Sequence, residues 1–237
     1  KSATLPPADV PGALAATMAK LLEVPMEKFH VVPLGIDCSE LSLLNRVDAR
    51  PPTMGYFGRI APEKGFDQVV DAFIRIHKEK KANTAYFKAG GWLGGNNREY
   101  FTAQENRIKA AGLKEHFEYI GSPDWQGKMD FLASIDVFSL PTAEREPKAL
   151  PVLEALAGGV PVVQPAHGIF PEMLDKTGGG ILFSPGNTAS LTDCLENLIS
   201  NPDKARQLGK VGREGVNKKC TAAHMASQTL DVYQQFM

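Results

Sequence analysis

The sequence predicts an α/β fold: a Rossmann-like, doubly wound parallel sheet of about six strands. Three observations predict it. From Thr53 onward, short apolar runs of strand length alternate with amphipathic runs of helix length. The strand-length runs are apolar enough to be buried on both faces, as in a parallel sheet covered by helices. Glycines punctuate the joins, as at Gly90-Gly91 and Gly158-Gly159.

The elements follow in order. Ser2–Val10 is rich in Pro and Ala and reads as a loop. Gly12–Leu22 forms a helix through Leu14, Met18, Leu21 and Leu22, and Phe29–Val32 is a short strand candidate. Pro51-Pro52 closes this less regular section. Thr53–Phe57 reads as a buried strand. Phe66–His77 is a helix, because Phe66, Val69, Val70, Phe73, Ile74 and His77 recur at helical spacing. Ala85–Ala89 is a strand, Arg98–Ala111 a helix closed by Gly112, Phe117–Ile120 a strand and Gln126–Ser134 a helix. Asp136–Leu140 and Val160–Gln164 are strands around the helix Leu150–Ala157. A short helix Phe170–Leu174, a strand Gly180–Phe183 and helices at Ala189–Ser200, Asp203–Val216 and Ala222–Phe236 complete the chain. Ligands of such a sheet sit outside the carboxyl ends of its strands.

Composition narrows the function classes. The chain has 237 residues, 43% of them hydrophobic and 22% charged, which excludes large-scale disorder. Lys and Arg number 26 against 27 Asp and Glu, a net charge of −1, so no polybasic surface for nucleic acid is expected. Cys38, Cys194 and Cys220 are far apart, which fits a reducing compartment and neither a disulfide framework nor structural zinc. No apolar run approaches the roughly 20 residues of a membrane helix, and no signal peptide is read. The chain begins at Lys1, so a piece of a longer protein is expected.

Two places can carry chemistry. Gly58 to Gly65 follows a strand and opens a helix, and Arg59 and Lys64 put two cations where free N–H groups already favour an anion. A diphosphate fits there; so does a solvated loop with two ordinary charges. There is no GxGxxG after this strand and no GxxxxGK[ST] anywhere. In the second place, Glu154 shares a helix face with Leu150, Leu153 and Ala157. An unpaired buried carboxylate costs several kcal/mol, so a partner is required. A backbone N–H or an arginine would serve; so would a pair of ligand hydroxyls. Glu146 lies eight residues earlier, in the loop that leaves the preceding strand.

Glu146 to Glu154 resembles the E-x7-E element of retaining GT-B glycosyltransferases, in particular glycosyltransferase family 4. Val31 to Asp37 is similar to that family's entry into its second domain, and Gly55 to Gly65 to its G-R-x-x-x-x-K-G motif. Leu153 to Val163 resembles its L-E-A-x-A-x-G-x-P-V-V run, and Gly168 to Glu172 its G-G-x-P-E turn. These four further elements occur in the family's order across about residues 30–215.

The resemblance implies a fold and a set of roles. Residues 1–50 would be a remnant of the first domain and a linker, 51–220 the nucleotide-sugar-binding domain, and 221–237 a helix returning to the missing N-terminal domain, which supplies the acceptor site. Arg59 and Lys64, with Gly58 at the turn, would hold the diphosphate of a UDP- or GDP-sugar without a metal or other cofactor. Glu154 would accept ribose hydroxyls, and Glu146 would stand beside the donor sugar as a catalytic group with Lys64 and Arg59. Backbone groups of Lys148, Ala149, Leu150, Gly168, Ile169 and Phe170 would add donor contacts, and the base would lie near Gly121–Trp125. The enzyme implied is a cytoplasmic hexosyltransferase with no transmembrane segment, any membrane contact falling to the missing domain; the isolated piece would be inactive. A nucleotide-sugar epimerase, a phosphorylase or a non-catalytic binding module are the alternatives.

Departures from the family pattern leave the identity of the donor sugar open. Pro147-Lys148-Ala149 stands where the family has Gly-Phe-Gly, and Ile169 replaces a glycine. Among the histidines, His77 reads as a core or boundary residue, His30 and His116 as strand edges, and His224 as surface. His167 is open to a ligand contact. Trp92 and Trp125 either pack or stack on a base, and Lys78–Lys81 reads as a solvated helix end.

Overall fold

The computed structural model describes residues 13–45, 50–79 and 84–237. Six strands form one sheet: β1 (Thr53–Phe57), β2 (Tyr86–Gly90), β3 (Phe117–Tyr119), β4 (Val137–Phe138), β5 (Val162–Pro165) and β6 (Gly180–Phe183). Their order is β3-β2-β1-β4-β5-β6, and every pairing is parallel. The expected Rossmann-like fold is therefore present, with its six strands. The helices are α1 (Ala13–Leu21), α2 (Phe66–Glu79), α3 (Arg98–Ala110), α4 (Trp125–Ala133), α5 (Leu150–Ala157), α6 (Phe170–Thr177), α7 (Thr188–Ile199), α8 (Pro202–Lys219) and α9 (Ala222–Gln234).

The strands form where apolar residues are caught between two helical layers. In β1, Met54 and Tyr56 are buried and Thr53 to Phe57 register on Tyr86 to Gly90 of β2. On its other side Met54 pairs with Val137. Phe66, the first residue of α2, is fully buried against the rings of Phe87, Phe101 and Phe117. Burying such a side chain is worth roughly 1.5–3 kcal/mol. α7 lies on α2 and on β1, β4 and β5, while α8 lies on α5 and α6. Small residues set the second of these contacts: a Cβ on Gly209 would meet the carbonyl oxygen of Gly159 at 2.0 Å, and one on Gly215 that of Thr177 at 2.3 Å.

The amino-terminal section differs from expectation. Residues 29–32 form no strand. Among the described residues no strand runs beside it to complete a ladder, and Val31 is 53% exposed; just beyond, Ile36 makes a parallel bridge to Thr221. Residues 2–10 and Gly12 lie outside the described residues, as do Lys80 and Lys81. Trp125 opens α4 rather than lying in the loop before it. On α9, Leu230 and Tyr233 are exposed, and Met225 offers its sulfur to the N–H of Gly35 at 3.5 Å. Among the described residues, no helix is long and apolar enough to cross a membrane.

The strand order positions the site. Chain connections run outward in opposite directions from β1 and β4, so the sheet's topological switch point lies between them. A crevice opens there outside the carboxyl ends of the two strands.

Candidate active site at the β1–β4 switch point

Two loops line the crevice. The first, Gly58 to Gly65, leaves β1 and is held by main-chain bonds. Gly58 N–H donates to Gly90 O at 3.0 Å, Ile60 N–H to Trp92 O at 2.9 Å, and Tyr56 Oη donates to Arg59 O at 2.8 Å. Pro62–Lys64 make one tight turn that ends at Gly65, with φ +71°. A Cβ there would meet Pro141 O at 2.0 Å, so only glycine brings this loop against the next. The second loop, Pro141 to Ala149, leaves β4. Thr142 Oγ1 donates to Glu63 O at 2.8 Å and Ala143 N–H to the same oxygen at 3.0 Å, which ties the two loops together.

Glu146 sits at the centre. Its Oε2 meets Lys64 Nζ at 2.5 Å, and the two side chains are 12% and 25% exposed. Its Oε1 faces the N–H groups of Lys148 and Ala149 at 3.4 and 3.5 Å. Burial alone would raise this carboxyl, but the Lys64 ammonium and those N–H groups outweigh it and hold Glu146 below the ordinary carboxylate range. Its main chain is clasped from the β5 side. Ile169 N–H donates to Glu146 O at 3.0 Å, and Gly168, at φ +61°, lies so close that a Cβ would be 2.8 Å from Glu146 N.

Not every expected contact group is placed to reach a ligand directly. The N–H groups of Ile169 and Phe170 are engaged by Glu146 O and His167 O, and the Phe170 side chain is fully buried. Their position is that of a clamp on Glu146. Arg59 turns to Glu63, Nη2 to Oε1 2.5 Å, and remains 45% exposed. Lys148 and Leu150 are exposed at the head of α5. Ala149 is 2% exposed and adopts φ +52°, ψ +41°, the left-handed conformation that alanine pays for with about 1–2 kcal/mol of strain.

Glu154 finds a partner of a kind the sequence reading did not name. Lys128 Nζ of α4 lies 2.6 Å from its Oε2, off the direction of a hydrogen bond, with the side chains 19% and 16% exposed. Lys128 also lies 5.1 Å from the ring centre of Phe57 and 5.8 Å from that of Trp125. No local signal in the sequence marks this contact, because Lys128 and Glu154 lie on different helices and meet only through the fold. Trp125 is 43% exposed and donates its indole N–H to Glu40; Trp92 is 59% exposed, over Gly94. Neither indole is a core residue.

The histidines sort by burial. His77 bonds Ala85 O at 2.8 Å and is a boundary residue, and His116 lies edge-on to His77 and against the ring of Tyr86 just before β3. His30 is exposed beside Phe236 and is not on a strand; His224 is exposed at the start of α9. His167 is half-buried at the end of β5, and burial lowers its pKa, with the cation of Arg145 adding to that against a main-chain bond at Thr142. Among the described residues, no three His, Cys, Asp or Glu side chains come together as a metal site. Cys38, Cys194 and Cys220 are all free thiols.

The arrangement has relatives. Over 207 residues the chain is 27% identical to a phosphatidyl-myo-inositol mannosyltransferase of Mycobacterium leprae, covering 86% of this chain and 52% of that one. It is 32% identical over 226 residues to an alpha-maltose-1-phosphate synthase of Mycolicibacterium smegmatis, covering 88% and 57%. The chain thus spans about half the length of these curated relatives. In fold it is similar to Anabaena Alr3699/HepE, solved with UDP and glucose (TM-score 0.79, 18% identity, 92% of this chain and 60% of that one). It is also similar to the C-terminal domain of a glycosyl transferase group 1 family protein, LpcC, from Francisella tularensis (TM-score 0.69, 23% identity, 79% and 100%). The fold is that of a GT-B glycosyltransferase domain. Residues 45–215, the whole sheet and both loops of the crevice, match the profile of the glycosyl transferases group 1, and the chain belongs to that family.

Proposed function

We propose that this chain is the donor-binding half of a retaining, metal-independent glycosyltransferase that takes its sugar from a UDP- or GDP-sugar. The observation that carries the reading is the Lys64–Glu146 pair across the switch point, with Arg59 beside it and the Glu154–Lys128 pair on the adjoining helices. In this reading Lys64 and Arg59 hold the diphosphate and stabilise the charge that grows as it leaves. Two cations at the leaving group do the work that a metal does elsewhere, so the reading calls for none. Glu154, with the Lys128 ammonium beside it, accepts the ribose hydroxyls. Glu146 stands beside the donor sugar on the reacting face. The base lies along Gly121–Trp125, where an exposed indole offers a stacking surface.

Residues 51–220 form the donor domain in this reading, and the open face of α9 leads to a further domain that carries the acceptor site. The acceptor is a glycan, a lipid or a small molecule. The chain by itself binds donor and does not turn it over. Three free thiols and a nucleotide-sugar substrate support a cytoplasmic site of action. UDP, GDP and ADP titrated into the chain by calorimetry test the proposal, with Glu154→Ala as control. Saturable binding of one nucleotide, weakened at least tenfold by Glu154→Ala, is the expected result; equal binding by the variant removes Glu154 from the site.

A further inference from the structure

The cations assigned to the diphosphate are not free to meet it. Arg59 is met by Glu63 and Lys64 by Glu146. The second pair differs from the first in being partly desolvated, where a charge-assisted bond is stronger than at an open surface. It also differs from the Lys128–Glu154 pair. The Lys128 ammonium lies near the rings of Phe57 and Trp125, which hold it in place. Lys64 sits on a flexible four-carbon stem, with Glu146 as its ion-pair partner.

We propose that Glu146 is an internal counter-anion of the donor site, competing with the donor diphosphate for the Lys64 ammonium. This rests on the donor-site reading above. Three features make the exchange feasible. The main chain of Glu146 is fixed by Ile169 N–H and by the close approach of Gly168, so the carboxylate can change partner without the loop moving. Its second oxygen already faces the N–H groups of Lys148 and Ala149. At 3.4 and 3.5 Å these contacts are longer than ordinary hydrogen bonds, leaving room to shorten when Lys64 turns away. And Lys64 and Glu146 come from the two loops on either side of the switch point, so a diphosphate that takes the Lys64 ammonium leaves the Glu146 carboxylate free at the crevice.

Two consequences follow. Donor affinity is held below what Lys64 alone would give, because only the fraction of molecules with the pair open can bind. And the carboxylate beside the sugar is released only when a diphosphate is in place, which couples loading of the donor to readiness of the reacting face. When the nucleoside diphosphate leaves, re-formation of the pair favours its departure.

The test is a double-mutant cycle on binding. Inorganic pyrophosphate, UDP, GDP and ADP are titrated into the wild-type chain, Glu146→Gln, Lys64→Met and the double variant, with thermal melts to verify folding and Glu146→Ala as a second variant. Glu146→Gln, and Glu146→Ala with it, should bind the diphosphate roughly tenfold more tightly, Lys64→Met more weakly, and the gain should vanish in the Lys64→Met background. If Glu146→Gln binds no more tightly than a wild type that does bind, the competition is overturned and the donor site stands. A gain that persists without Lys64 also overturns it, since the effect is then the general field of one lost charge. Failure of every nucleotide and of pyrophosphate to bind either wild type or Glu146→Gln overturns the donor site and this inference together.

Discussion

The two loops that line the crevice leave neighbouring strands and carry the two ends of one ion pair, yet they are built differently. The β1 loop is relaxed. Its one left-handed residue is Gly65, and its frame is a set of main-chain bonds at 2.9–3.0 Å from Gly58, Ile60 and Gly65 to the adjoining strand ends and turn. The β4 loop is strained. It places buried Ala149 in a left-handed conformation, contains Pro147 without an N–H to give, and is clasped by Gly168 and Ile169 at the Glu146 main chain. In the proposed reading the relaxed loop carries the cations that hold a diphosphate, a task common to any donor, and the strained loop carries Glu146 beside the sugar; Pro147-Lys148-Ala149, one of the two departures from the family pattern, lies in that strained loop. In that reading, strain accompanies the specific part of this site and not the general part.

Substitutions that exchange the two characters break the comparison. Gly65→Ala should have the largest effect. It strains the backbone and drives a Cβ into Pro141 O, for a loss of roughly 3–5 kcal/mol, read as a lowered melting temperature and loss of nucleotide binding. A melting temperature unchanged by Gly65→Ala would show that the β1 loop is not the rigid one. Ala149→Gly is the converse and should be smaller and opposite in sign. Relief of the left-handed strain exceeds the added chain entropy, leaving a gain of about 0.5–1 kcal/mol. The same variant should alter sugar preference more than nucleotide affinity, which competition binding of sugar nucleotides against the free diphosphate would read.

Acid should sharpen the comparison with the smallest effect. Both Glu146 and His167 have folded-state pKa values below their ordinary ones. Each therefore contributes stability that is present above its ordinary value and lost as pH falls toward its folded value. His167 acts first, below the ordinary histidine range, and Glu146 second, below the ordinary carboxylate range. The β4 loop and its β5 clasp should lose amide-exchange protection as pH falls, while the main-chain bonds of the β1 loop, which do not titrate, keep theirs. Equal loss in both loops would erase the distinction.

Much of this was legible beforehand, and the exceptions share one cause. β1, α5 and β6 begin and end where the sequence reading put them, because their apolar periodicity and bounding residues are local. Phe29–Val32 has the composition of a strand but no neighbour to bond, and strand formation needs a partner. β4 shrank from five expected residues to Val137–Phe138 for a related reason: the ladder to β5 holds one registered pair there, and the chain then bends into the site. The E-x7-E spacing marked both glutamates, but not who would meet them.

What the sequence determined by itself is therefore the alternation of strand and helix, the family, and which loops stand at strand ends. These follow from periodicity and from motifs a few residues long. Only the tertiary structure decided that Lys64 reaches Glu146 from 82 residues away, that Lys128 and not an arginine balances Glu154, and that Ala149 bears the strain. The physical reason is that pairing of buried charge depends on distance in space, which the strand order β3-β2-β1-β4-β5-β6 sets by bringing β1 beside β4.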